Sequence, residues 1–239
     1  MNSRIKQVSI VTTKPYRREY LLSISASLAS FLLCCLFTKY TYPLEAEYYL
    51  MLFTYPFALG NPPFIFMIIN LFSLTVPYLL ITSLWDICDS DEMALIAVRS
   101  KTQGKSFVFQ SYIMLFSIFG TTLVSSAFFS LILSISIRTS LLFFIAHSAS
   151  LILTTFLARV LHAYLGLPTI ASGLLCFVLG YSFLFIPVSG IKMFSSMYPL
   201  YMLSVNEMQL IYIPVYLILL FICIKLISHK EKTKDYLGG

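Results

Sequence analysis

Three histidines, His147, His162 and His229, are the residues of this chain best suited to proton transfer near neutral pH, and they are scattered. None has an acidic neighbour at metal-ligand spacing, and no H-E-x-x-H occurs, so an intramembrane metalloprotease has no visible ligand set. A membrane serine protease needs a serine at a glycine-rich helix start and a facing histidine. No G-x-S-x-G is present, and Ser189-Gly190 sits between apolar segments. His147, alone within an apolar run, reads as a hydrogen-bonded packing residue. The five cysteines, Cys34, Cys35, Cys88, Cys176 and Cys223, include no CxxC and read as small buried hydrophobes. No G-x-x-x-x-G-K-S/T exists, so any nucleotide hydrolysis belongs to another subunit. Ion-coupled carriers usually hold a charge in mid-span. None of the apolar runs carries one near its centre, which argues against proton coupling.

The densest charge in the interior of the chain lies at residues 86–105, which hold Asp86, Asp89, Asp91 and Glu92, then Arg99, Lys101 and Lys105. Asp89 is a good N-cap, and Glu92 three residues later completes a capping box. Asp91 and Glu92 suit the positive first turn of a helix, Arg99 and Lys101 its negative last turn, and Gly104 is expected to stop it. Met93, Ile96, Ala97 and Ser100 share one narrow apolar face. A plain hairpin needs far fewer residues. The segment reads as a short helix that docks into a groove on a soluble protein.

The elements that hold this island are membrane spans. The chain is 59% hydrophobic and 11% charged, against about 25% charged for a soluble domain. Its net charge of +6 sits at helix ends and tails and forms no long basic face, so nucleic acid is not an expected partner. The expected fold is all-α, a single polytopic membrane domain with six spans, each crossing needing about 20 residues and the third long enough to tilt or project. They are placed at 20–37, 64–85, 106–137, 141–161, 169–187 and 208–227. The first nineteen residues form a tail without the pattern of an ordinary signal peptide, 86–105 the charged loop, and 228–239 a second tail. Six spans put thirteen Lys and Arg on one side of the membrane and three (Lys39, Arg138, Lys192) on the other, so both termini are expected in the cytoplasm.

Two further segments, Thr41–Gly60 and Val188–Glu207, are too polar to span and too apolar to be free loops. They are expected to form an aromatic belt at the outer interface or to dip back into the protein. Ile5, Val8 and Val11 allow a short interfacial helix before Pro15, with a disordered tail as the alternative. Small residues recur along Ser23/Ser27/Ser30, Ser126/Ser130/Ser134, Ala146/Ser150/Thr154 and Gly173/Gly180, as in helices packed closely in lipid.

Six spans, cytoplasmic termini and a charged helical loop between spans two and three resemble the permease subunits of type 2 ABC transporters. More narrowly, the chain resembles the Gram-positive permeases that handle lantibiotics and other amphipathic peptides. The most specific piece is Ala97-Val98-Arg99-Ser100-Lys101, leading through Lys105 into a Ser- and Phe-rich third span. The resemblance implies that 86–105 is a coupling loop, whose helix enters an ATPase through Asp89, Asp91, Glu92, Met93, Ile96, Ala97, Arg99 and Lys101. It implies an ABC ATPase partner carrying ATP and Mg, a second permease copy or a similar permease, and a hydrophobic or amphipathic peptide cargo. It also implies a bacterial plasma membrane, and no cofactor or catalytic residue in this chain. The alternative is a stand-alone membrane immunity protein or an intramembrane protease without an ATPase.

Overall fold

A computed structural model describes residues 2–42, 45–54, 63–88, 103–185 and 212–233. Among them every element is a helix: α1 (Asn2–Thr41), α2 (Ala46–Thr54), α3 (Phe64–Thr82), α4 (Leu84–Cys88), α5 (Gln103–Leu133), α6 (Ile137–Leu165), α7 (Thr169–Phe185) and α8 (Tyr212–Thr233). Five contain stretches long and apolar enough to cross a bilayer: Tyr20–Thr41, Phe64–Asp86, Gln110–Leu133, Ile137–Leu165 and Ile213–Lys230. α7 supplies a shorter apolar stretch, Thr169–Val178. This is a multi-pass membrane protein.

The distribution of side chains fits lipid as the outer solvent. On α5, Ser117, Thr121, Thr122, Ser125 and Ser126 are buried, while Phe116, Phe119, Leu123 and Val124 are exposed. A helix in water would reverse that arrangement. In hydrocarbon each hydroxyl needs a partner, and a carbonyl one turn back is the nearest. Thr121 donates to Ser117 O at 2.6 Å, Thr122 to Ile118 O at 2.8 Å, Thr82 to Tyr78 O at 2.7 Å and Thr154 to Ser150 O at 2.7 Å.

α3 lies along α1, α5 pairs with α6, and α6 packs on α7 and α8. The turn from α5 to α6 departs from the expected spans. α5 ends at Leu133 rather than Ile137, and α6 begins at Ile137 rather than Leu141. Ser134 turns the chain with φ 57°, Ser130 Oγ donates to Ile135 O at 3.0 Å, and Ser136 caps α6 by accepting from Thr139 N at 3.2 Å. Three serines thus make the turn, and the apolar Ile135 and Ile137 hide it from hydropathy. α6 ends on Gly166, whose φ of 66° is the left-handed cap that glycine adopts without a Cβ clash, with its N–H donating to His162 O at 3.0 Å. The segment before Pro15, expected as a short interfacial helix or a disordered tail, is instead continuous with the first span, and α1 runs through Pro15. A proline removes one bond of the helical ladder and bends the axis without having to end the helix.

α2 is the inserted alternative to an interfacial belt. Its Leu52 and Phe53 are fully buried, and Tyr49 nearly so. The last four carbonyls of a helix lack partners within it. Asn70 on α3 supplies one, donating Nδ2–H to Leu52 O at 2.9 Å, and Tyr49 OH donates to Tyr42 O, just past the end of α1, at 3.0 Å. Beneath α2, Phe53 meets Phe31 at 5.5 Å and Phe129 at 5.5 Å, and Phe129 stacks on Phe143 at 4.5 Å between ring centres. Four helices therefore share one aromatic cluster at this end of the bundle.

Candidate functional site

The charged island is reached through α4. Ser83 joins α3 to α4 with helical dihedrals (φ −62°, ψ −18°), its N–H on Leu79 O at 2.9 Å and its hydroxyl on Leu80 O at 2.7 Å. α4 continues against α1, α3 and α5. Leu84 and Trp85 point inward and are buried, and Asp86 is exposed. The ring of Trp85 stands edge-on to Phe156 of α6, 5.8 Å between centres at 89°. The guanidinium carbon of Arg159, one turn further along α6, lies 5.0 Å from the Trp85 ring centre. A cation over an indole face is attractive, by about 2 kcal/mol when both are desolvated.

Arg159, one of the thirteen basic residues on the expected cytoplasmic side, is buried, with only 1% of its surface exposed. The visible signal is that α6 runs on through Tyr164 and Leu165, more than a turn beyond Arg159, so the arginine sits within the apolar helix rather than past its end. The chain does hold a buried charge inside a membrane-spanning helix, near one end of it.

The upper half of this junction is tied to the neighbouring helices. Tyr78 OH donates to Thr154 O on α6 at 3.3 Å, and its ring stacks on Phe177 of α7 at 5.9 Å. Gly173 of α7 faces Thr82, where an added Cβ would come within 3.2 Å of Thr82 Cγ2. A side chain there would require Thr82 to give by a few tenths of an ångström, so glycine favours this close approach of α7 to α3. Thus α4, α3, α6 and α7 meet around Trp85, Arg159, Tyr78 and Gly173.

The expected docking residues Asp89, Asp91, Glu92, Met93, Ile96, Ala97, Arg99 and Lys101 lie outside the described residues, as does Val188–Glu207. Gly104, expected to end a helix, instead lies in the first turn of α5. His147 is buried as expected, but between the rings of Phe143, 5.2 Å away, and Phe31, 6.3 Å away. Neither of its ring nitrogens has a hydrogen-bond partner among the described residues, so it packs as an aromatic ring rather than as a bonded histidine. The small-residue rows serve internal packing where they are described. Ser27, Ser126, Ala146 and Ser150 are buried, and Thr122 of α5 bonds Ser148 of α6 at 2.7 Å between hydroxyl oxygens. Ser134 drops out of its row into the turn. Cys35, Cys176 and Cys223 are buried free thiols and Cys34 is partly buried. No group of three or more potential metal ligands occurs among the described residues.

No family model matches this chain, and neither a curated protein nor a solved structure is similar to it.

Proposed function

We propose that this chain is the permease subunit of an ATP-driven ABC exporter for hydrophobic or amphipathic cargo such as peptide toxins or bacteriocins. In this reading α1, α3, α5, α6, α7 and α8 are six spans with both termini in the cytoplasm. Two permeases, identical or similar, line the pathway, and separate ATPase subunits hold ATP and Mg. This chain supplies no covalent step. It converts a force on the 86–105 loop into movement of helices.

The observation that carries the reading is the seating of α4. The island follows directly from a helix whose largest side chain is locked against α6 by Phe156 and Arg159. A loop hung on an exposed hinge would absorb a push from a partner. One rooted in a buried indole passes it to α6 and, through α3, to α7. The excess of Lys and Arg on the island's side of the six-span map supports a cytoplasmic island.

The test is Ile96→Asp. It would place an unpaired charge in the ATPase cleft, where desolvation is costly, and leaves the spans untouched. The expected result is normal membrane levels of the protein, with ATPase copurification and transport both lost. Full transport by the Ile96→Asp protein would remove the coupling role. Protection against a toxin in cells lacking the ATPase would favour a stand-alone immunity protein instead.

A further inference from the structure

The α6–α8 edge, at the same end of the bundle as α4, changes from apolar to basic within one helical turn. On α8, Phe221, Lys225 and His229 follow one another at i, i+4, i+8, and Ile222, Leu226 and Lys230 form the adjacent row. All six are exposed. Residues four apart stand one above the other on a helix, so each row is a vertical strip with hydrocarbon above and charge below. Lys225 Nζ lies 5.3 Å from the centre of the Phe221 ring, and Lys230 Nζ lies 5.6 Å from that of Tyr164 on α6. Tyr164 OH donates to Leu226 O at 3.2 Å, and Tyr216 OH to Ala149 O at 2.8 Å, which hold α8 in register on α6. Between residues 225 and 234 the chain has four lysines and one glutamate.

We infer that this edge is a binding site for an anionic phospholipid. The exposed Phe221, Ile222 and Leu226 offer a track for acyl chains. Lys225, Lys230 and His229 stand at the depth where a phosphate would lie if the chains followed that track. The aromatic rings beneath the two ammonium groups hold them close to the protein, so less side-chain freedom is lost when a headgroup is bound. A lipid satisfies both halves of each strip. A free phosphate leaves the apolar halves without a counterpart, and a soluble acidic peptide does the same. The opposite end of the bundle offers the exposed Lys39 and Arg138 on separate helices, α1 and α6.

The purified full chain, extracted in mild detergent and given equimolar phosphatidylglycerol and phosphatidylcholine, can be examined by native mass spectrometry for retained lipid. Each lysine at an anionic surface is worth about a fivefold preference. Lys225→Gln with Lys230→Gln should therefore lower the ratio of retained phosphatidylglycerol to phosphatidylcholine by roughly twentyfold. Lys225→Arg with Lys230→Arg should keep the ratio, and Lys39→Gln with Arg138→Gln should leave it within about twofold of wild type. If the double glutamine variant does not fold, Lys225→Gln alone should still show about a fivefold loss. An unchanged ratio in the glutamine variants would overturn the site. So would an equal loss in the Lys39/Arg138 variant, because the preference would then follow total charge and not this edge.

Discussion

At the residue scale, the pairing of Trp85 with Arg159 is the most consequential contact in the molecule, and it is unusually open to measurement. Trp85 is the single tryptophan of the chain and is fully buried. Its emission should be blue-shifted and insensitive to iodide, and fluorescence of the detergent-solubilised protein tests both. A red-shifted, readily quenched signal would mean that the indole meets water. Arg159→Met keeps a long, flexible, apolar body at the same place and removes the cation. In a double-mutant cycle with Trp85→Leu, followed by unfolding in mixed micelles, the coupling between the two positions should be about 2 kcal/mol. A coupling near zero would reduce the pair to two independent packing residues. Arg159→Ala should be worse than Arg159→Met. It opens a cavity as well, with a total loss of about 3–5 kcal/mol. The sequence could expose this pair only in part. An arginine near the end of an apolar run looks the same whether it snorkels outward or turns in, and no hydropathy pattern records that Trp85 of α4 stands beside Arg159.

At the element scale, the helices were readable and their ends were not. The starts of α3 and α7 follow Pro63 and Pro168, which are explicit signals in the sequence. The α5–α6 turn has neither glycine nor proline. Ser130 and Ser136 build it through local hydrogen bonds that compete with the helix, and Ser134 through its left-handed backbone. Such serines read as small packing residues on a helix face until the geometry is seen. Ser134 occupies a left-handed conformation that costs an L-residue roughly 1–2 kcal/mol. Ser134→Gly should therefore hold or raise thermal stability, whereas Gly166→Ala, at a φ of 66°, should lower it by about 1 kcal/mol. Opposite signs at two turns of one bundle are readily compared by melting in the same detergent. The seating of α2 gives a second expectation. Asn70→Leu removes the donor to Leu52 O and leaves a buried carbonyl without that partner, at a cost of about 1–3 kcal/mol. Hydrogen exchange should quicken in α2 and remain unchanged in α8. Equal quickening in both would show a global loss of stability and not a released cap.

At the scale of the whole molecule, the sequence and the packing bear on topology from different directions. Hydropathy alone finds the long spans, and the inside-out placement of serine and threonine against leucine and phenylalanine fixes which faces meet lipid. Neither says which side of the membrane each end occupies. The asymmetry of thirteen basic residues to three does, provided that α7 crosses, because a bundle without that crossing would send the two charged tails to opposite sides. α7 is the shortest of the helices assigned to crossings in the six-span reading, at 17 residues from Thr169 to Phe185. Yet its Gly173 approaches Thr82 closely and its Phe177 stacks on Tyr78, so successive turns of α7 climb past successive turns of α3 in the opposite direction. In the proposed six-span reading this antiparallel course carries α7 across the bilayer beside α3. Single cysteines test this. Cys35, Cys176 and Cys223 are already buried, so an impermeant maleimide should leave them unlabelled, and Cys88 and the partly buried Cys34 are replaced beforehand. In intact cells a cysteine at position 192 should label from outside, and one at position 230 should label only after the membrane is opened. The reverse pattern, position 230 labelled from outside and position 192 protected, would mean that α7 turns back without crossing and would overturn the six-span map.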